Sequence, residues 1–112
     1  MFKQCTVCQR RWRDREDFLT DPDLAIIGYQ VCFDGVKDGL FLFNHNCKTT
    51  LAIKVYEFDD LYRGPRYDTA ALGTDSCSGF CLDMTELKSC DSQCKYAYVR
   101  DIIQIIMKWP KE

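Results

Sequence analysis

The sequence predicts an α+β fold in which a small three-stranded antiparallel meander packs with a C-terminal α-helix. Three observations lead there. Apolar residues alternate from Ala25 to Val55 with turn residues between the runs, a broad apolar stripe extends from Tyr98 to Trp109, and the cysteines of this 112-residue chain stand in close pairs. At 46% apolar content the chain has ample material for a core. Its length is that of one domain, so residues 1–112 are expected to form a single compact unit.

Arg13 to Leu19 reads as a short helix or turn, stopped by Asp21-Pro22 because a residue before proline is driven out of helical geometry. From Ala25 to Phe33 the chain alternates as a strand, with Ala25, Ile27, Tyr29, Val31 and Phe33 on one face and Ile26, Gly28, Gln30 and Cys32 on the other. Asp34 to Gly39 supplies turn chemistry, and Leu40 to Phe43 begins a second strand. His45 to Thr49 is a polar turn, after which Leu51, Ile53 and Val55 alternate in a third strand ending near Phe58. Asp59 to Ser76 has no periodicity, and structureless segments of that length in small domains are commonly functional. Asp83 to Lys88 is at most one helical turn. Asp91 or Ser92 can cap a last helix with Arg100, Asp101, Gln104 and Lys108 on its polar side. Tyr98, Val99, Ile102, Ile103, Ile105, Ile106 and Trp109 form its apolar side, and Pro110 ends it.

Seven of the eight cysteines and the only histidine form four two-ligand clips: Cys5-Thr-Val-Cys8, His45-Asn-Cys47, Cys77-Ser-Gly-Phe-Cys81 and Cys90-Asp-Ser-Gln-Cys94. Four clips make two tetrahedral sites of the kind zinc fills in structural roles, with Cys32 left over. Disulfides are the competing explanation, and compartment decides between them. Residues 1–13 hold no apolar run that could serve as a secretory signal, and no stretch is long enough to cross a bilayer. The expected location is therefore the reducing cytoplasm, where clustered thiols are more often ligands than bridges.

The two-residue spacing of Cys5 and Cys8 lets a tight turn aim both sulfurs at one ion, and His45 with Cys47, at a hairpin tip, completes a Cys3His set. A thioredoxin-like reading would want this pair at a helix start after a strand, and a c-type haem would want histidine where Gln9 stands. In outline residues 1–58 resemble a zinc ribbon, with a shorter second clip and a 36-residue gap between clips. The second set, Cys77, Cys81, Cys90 and Cys94, would tie the 59–76 loop to the helix within residues 77–112. Cys90 and Cys94 lie four apart across the expected helix start, where unpaired amides favour thiolates. Four cysteines suit zinc and equally an iron–sulfur cluster in a redox or electron-transfer protein, although the ferredoxin two-residue gaps are absent. Helix-linking disulfides are a third reading. Cys32 is expected as a small buried hydrophobe.

No catalytic constellation emerges, because His45 is consumed by the metal reading and four-ligand sites leave no position for substrate. The net charge of −2 would fall to about −5 with seven thiolates and two divalent ions in place, which disfavours general nucleic-acid binding. A nucleic-acid-binding zinc module would rest on Arg10, Arg11, Arg13 and Arg15 around Trp12. Asp14, Glu16 and Asp17 are interleaved with them, so a solvated turn with Trp12 in the core is the plainer reading. In the long loop, Tyr62, Arg63, Arg66 and Tyr67 are residue types favoured at binding hot spots, or else the loop is packed over the sheet by its own aromatics. The expectation is a small intracellular zinc protein that binds another protein and no membrane.

Overall fold

The structure is a computed structural model and describes residues 1–69, 77, 79–90 and 93–112. A two-stranded hairpin, β1 (Lys3–Gln4) and β2 (Arg11–Trp12), is followed by helix α1 (Arg15–Thr20). Strands β3 (Leu24–Gln30), β4 (Leu40–His45) and β5 (Thr50–Lys54) then form the antiparallel meander, with β4 in the centre. Helix α2 (Ala97–Met107) closes the fold. Among the described residues no helix is long and apolar enough to cross a membrane.

Helix α1 starts two residues later than its composition suggests because Asp14 is its cap. The Asp14 carboxylate accepts from the Asp17 amide at 2.8 Å, and the Asp17 carboxylate accepts from the Arg13 amide at 3.0 Å. The helix stops at Asp21, ahead of Pro22.

The expected alternation of the first strand, with Ala25, Ile27 and Tyr29 on one face, is corrected by a β-bulge. Leu24 pairs with His45 and Ile26 with Phe43, but the register then shifts and Gly28 pairs with Leu42 and Tyr29 with Phe41. Ile27 is the extra residue and points to solvent, as does Ala25, so Leu24, Ile26 and Tyr29 face the core. The strand ends at Gln30, before Val31, Cys32 and Phe33. Gly28 is required here: a Cβ at this position would stand 2.7 Å from the Met84 carbonyl oxygen, which accepts from the Tyr29 amide at 2.9 Å. The segment at Met84 thus lies along the outer edge of β3.

The third strand also ends early. After Lys54 the chain enters a 3-10 turn, Val55–Leu61, which buries Val55 and Phe58. Trp12, Phe18, Phe41, Phe43 and Phe58 are all fully buried and lie edge-on or tilted to aromatic neighbours. Each buried aromatic of this kind contributes roughly 1.5–3 kcal/mol by removal from water. Val99, Ile102, Ile103 and Ile106 of α2 join the same core.

Helix α2 is capped at Tyr96; Asp91 and Ser92 lie outside the described residues. The placement of Cys90 and Cys94 across a helix start is therefore corrected, since both precede the first helical residue. Arg100, expected on the solvent side, is buried, and Trp109 lies beyond the helix against the core. The C-terminus returns to α1, where the Lys111 ammonium donates to the Leu19 carbonyl at 2.8 Å and the Glu112 amide to that of Thr20 at 2.9 Å.

Candidate metal centre

Two tight turns bring Cys5, Cys8, His45 and Cys47 together. The first closes the β1–β2 hairpin: the Cys5 amide donates to Arg10 O at 2.8 Å and the Gln9 amide to Cys5 O at 3.0 Å. Gln9 takes a left-handed φ of 67° to complete this turn. The Cys8 amide, reinforced by that of Val7 and by the Cys47 and Cys8 thiols, outweighs burial and pulls the Cys5 thiol down to about 6. At Cys8 the Arg10 amide acts in the same direction, but desolvation and the neighbouring Cys5 and Cys47 sulfurs prevail and raise that thiol.

The second turn joins β4 to β5. His45 follows Phe41 and Phe43 on the core face of β4, which explains its burial, and its ring meets Trp12 edge-on at 5.3 Å. The His45 amide donates to Thr49 O and the Lys48 amide to His45 O, both at 2.9 Å, with Lys48 at φ 70°. A third bond, Asn46 amide to Asp23 O at 3.1 Å, ties the turn to the start of β3. Thr49 Oγ1 lies 3.2 Å from Cys47 Sγ.

The four ligand atoms lie within 4.8 Å of one another. Cys5 Sγ is 3.6 Å from Cys47 Sγ, Cys8 Sγ is 3.6 Å from His45 Nδ1, and His45 Nδ1 is 3.1 Å from Cys47 Sγ. Tetrahedral zinc with ordinary Zn–S and Zn–N lengths needs edges of about 3.5–3.8 Å. The donor set therefore fits one ion of that size with no large movement. A sulfur pair 3.6 Å apart is well beyond disulfide length, and none of the eight cysteines is joined in a disulfide. Among the described residues this is the one group of side chains close enough together to hold an ion.

The second cysteine set forms a looser neighbourhood. Cys94 is buried with Tyr96 and Ala97, and Cys77 and Cys81 pack against them. Burial raises the Cys81 thiol above its ordinary value; Arg100 opposes this shift, while Cys94 and Cys90 add to it. Arg100 holds the preceding chain by three carbonyl and sulfur contacts. Its Nε donates to Lys88 O at 2.6 Å, its Nη2 to Glu86 O, and its Nη1 lies 3.9 Å from Cys81 Sγ. One helical turn on, Gln104 donates to Leu87 O at 2.6 Å. Sequence reasoning missed Arg100 because its partners are backbone carbonyls, which carry no side-chain signature. Cys32 is half-buried beyond the end of β3 and opens a turn, its carbonyl accepting from the Gly35 amide at 3.3 Å.

The loop residues divide. Arg66 donates to Asp59 Oδ2 and to Asp59 O at 2.8 Å and to Tyr62 O at 3.1 Å, and its guanidinium lies 4.4 Å from the Tyr98 ring centre. Tyr62 donates to Pro65 O at 3.0 Å. Arg63 and Tyr67 are exposed. Burial pushes the Asp59 carboxyl up, but Arg66, Tyr98 and Lys37 together outweigh it and hold the group below the ordinary carboxylate range. Near the first turn, Trp12 is fully buried and donates to Asp21 Oδ2 at 2.9 Å; Arg10 pairs with Asp17 and Asp21, and Arg15 with Asp60. Comparison of the chain with protein-family models, with curated proteins and with solved structures finds no match.

Proposed function

We propose that this chain is a cytoplasmic zinc protein whose metal is structural and whose work is to bind another protein. The observation that supports the reading is the convergence of Cys5, Cys8, His45 and Cys47, their ligand atoms within 4.8 Å of one another, on two hairpin turns. Four protein ligands fill the coordination sphere of such an ion and leave no position for water or substrate. The chemistry on offer is cross-linking: the ion joins the N-terminal hairpin to the meander. In the same reading Cys77, Cys81, Cys90 and Cys94 take a second zinc ion.

The binding surface in this proposal is the turn from Asp59 to Asp68. Arg66 and Tyr62 brace it from within, leaving Arg63 and Tyr67 to meet a partner. A nucleic-acid partner has less support, since the indole of Trp12 is fully buried and not offered to a base. In-cell cross-linking followed by mass spectrometry tests the proposal. Cross-links to another protein should concentrate on residues 59–69, and the double variant Arg63→Glu, Tyr67→Ala should abolish them while elemental analysis still finds zinc. Cross-links unchanged by the double variant would remove this surface from consideration, and iron in place of zinc would turn the reading toward electron transfer.

A further inference from the structure

The four residues that converge on the two hairpin turns are unequally shielded. Cys5 and His45 are buried, His45 against the edge of Trp12, and Cys47 is half-buried with Thr49 Oγ1 at 3.2 Å from its sulfur. Cys8 alone is exposed. Thr6 and Val7 before it and Gln9 and Arg10 after it are exposed as well, so the tip of the first hairpin opens this ligand to solvent. Accessible thiolates with a second cysteine in reach are the ones that oxidants convert to disulfides. The second cysteine here is Cys5. The two residues bracket a single turn, closed by the Gln9 amide on the Cys5 carbonyl at 3.0 Å, and their sulfurs lie within 4.8 Å of each other.

We infer that the Cys5, Cys8, His45 and Cys47 centre is a redox switch: a hydroperoxide oxidises Cys8, Cys5 completes a disulfide with it, and the ion is released. The inference rests on the reading of these four residues as a metal site. A cysteine that ligates an ion is already a thiolate, so the Cys8 sulfur has no proton to lose before it reacts. It attacks one peroxide oxygen, the O–O bond breaks, the second oxygen leaves as hydroxide, and Cys8 becomes a sulfenic acid. The Cys5 thiolate then attacks the Cys8 sulfur; the S–S bond forms, the S–O bond breaks and a second hydroxide leaves. Two thiolates have given up two electrons and one peroxide has taken them. The ion keeps only His45 and Cys47, half of the set that closes its coordination sphere. Cys5 is the partner and not Cys47 because Cys5 and Cys8 share one turn, whereas a bond to Cys47 has to join two hairpins. The bridge that the ion makes between the N-terminal hairpin and the meander is thereby exchanged for a bond within the hairpin, and a thiol reductant with fresh zinc reverses the exchange.

Hydrogen peroxide is the probe, and the wild-type chain suffices. The reduced, zinc-loaded full chain is titrated with peroxide, free zinc is read with a colorimetric chelator, and the remaining thiols are alkylated before digestion with trypsin and mass spectrometry. Trypsin cuts after Lys3 and Arg10, so Cys5 and Cys8 fall in one peptide, Gln4 to Arg10, while Cys47 falls in another. The first peptide should lose two hydrogens in step with zinc release, one ion for each disulfide. A cyclic diketone added with the peroxide should trap the sulfenic acid on Cys8 and on neither Cys5 nor Cys47. Reductant and zinc should restore both the free thiols and the bound ion. Zinc release with the Cys5–Cys8 peptide still reduced, a disulfide from Cys8 to Cys47 or to a second chain, or the diketone on Cys5 or Cys47 would overturn the inference. So would zinc that stays bound while this peptide is oxidised. Reduced wild type that holds no zinc before any peroxide is added overturns the metal reading itself, a result distinct from all of these.

Discussion

Cys5, Cys8, His45 and Cys47 stand on hairpin turns whose backbone bonds are complete in themselves, whereas Cys81 stands in a single 3-10 turn, Phe80–Leu82, and Cys77, Cys90 and Cys94 on chain outside helices and strands. In the first set, four amide-to-carbonyl bonds of 2.8–3.0 Å fix the turns. In the second, the arm between Phe80 and Cys90 owes its course to side chains of α2 and to the edge of β3, through Arg100, Gln104 and the Tyr29-to-Met84 bond. Turn geometry pre-arranges ligands locally. An arm held from outside depends on everything that holds it, so the two sets should respond differently to the same insult.

The largest difference is expected on loss of the first ion. Structural zinc in small sites contributes apparent stability on the order of 10 kcal/mol, comparable with that of a whole domain. The first turn is continuous with Trp12 and Phe2, which pack on Phe18 at 5.1 and 5.4 Å between ring centres. His45→Ala should therefore lower the melting temperature far more than Cys90→Ser, and hydrogen exchange should show protection lost through β3 and β4. In Cys90→Ser the expected loss is confined to residues 59–69 and 79–96. Equal melting temperatures for the two variants would end the comparison.

Gly28→Ala sharpens it from the other side. The added methyl meets the Met84 carbonyl, a backbone atom, so the arm must leave the edge of β3, at a cost of roughly 1–3 kcal/mol. Metal affinity of the second set should fall and that of the first should stay. A smaller effect of opposite sign is expected at Lys48, whose φ of 70° favours glycine: Lys48→Gly should stabilise by up to about 1 kcal/mol, and Lys48→Val should destabilise. Chemical denaturation of the zinc-loaded protein measures both.

The smallest effect lies in the loop. Because the folded-state pKa of Asp59 is depressed, its contribution is present above the ordinary carboxylate pKa and is lost as pH falls through the lower folded value. Asp59→Asn should remove that contribution, lowering stability at neutral pH by under about 1 kcal/mol, leaving it nearly unchanged below the folded pKa of Asp59, and so flattening the profile between.

Much of the first centre was legible in the sequence because clip spacing is a local property: two residues between sulfurs, or one between His45 and Cys47, dictate a turn whatever surrounds it. The meander and the apolar stripe of α2 were legible for the same reason, as periodicity is local. The inward face of β3 was not, because the bulge at Ile27 answers to the register with β4. Two-residue strands such as β1 and β2 are too short to show alternation at all. Arg100 looked like a solvent residue beside Asp101, and only the arm laid across α2 makes it a core residue.

Metal retention in a single variant tests the central account most directly. Zinc-loaded wild type and His45→Ala are dialysed against a chelator of fixed strength, and zinc per chain is measured by elemental analysis. The wild type should retain two ions and His45→Ala one, with the lost ion coming from the Cys5, Cys8 and Cys47 site. Two ions retained by His45→Ala at unchanged affinity would contradict it, since a histidine that converges with three sulfurs but holds no metal leaves the first centre without its fourth ligand.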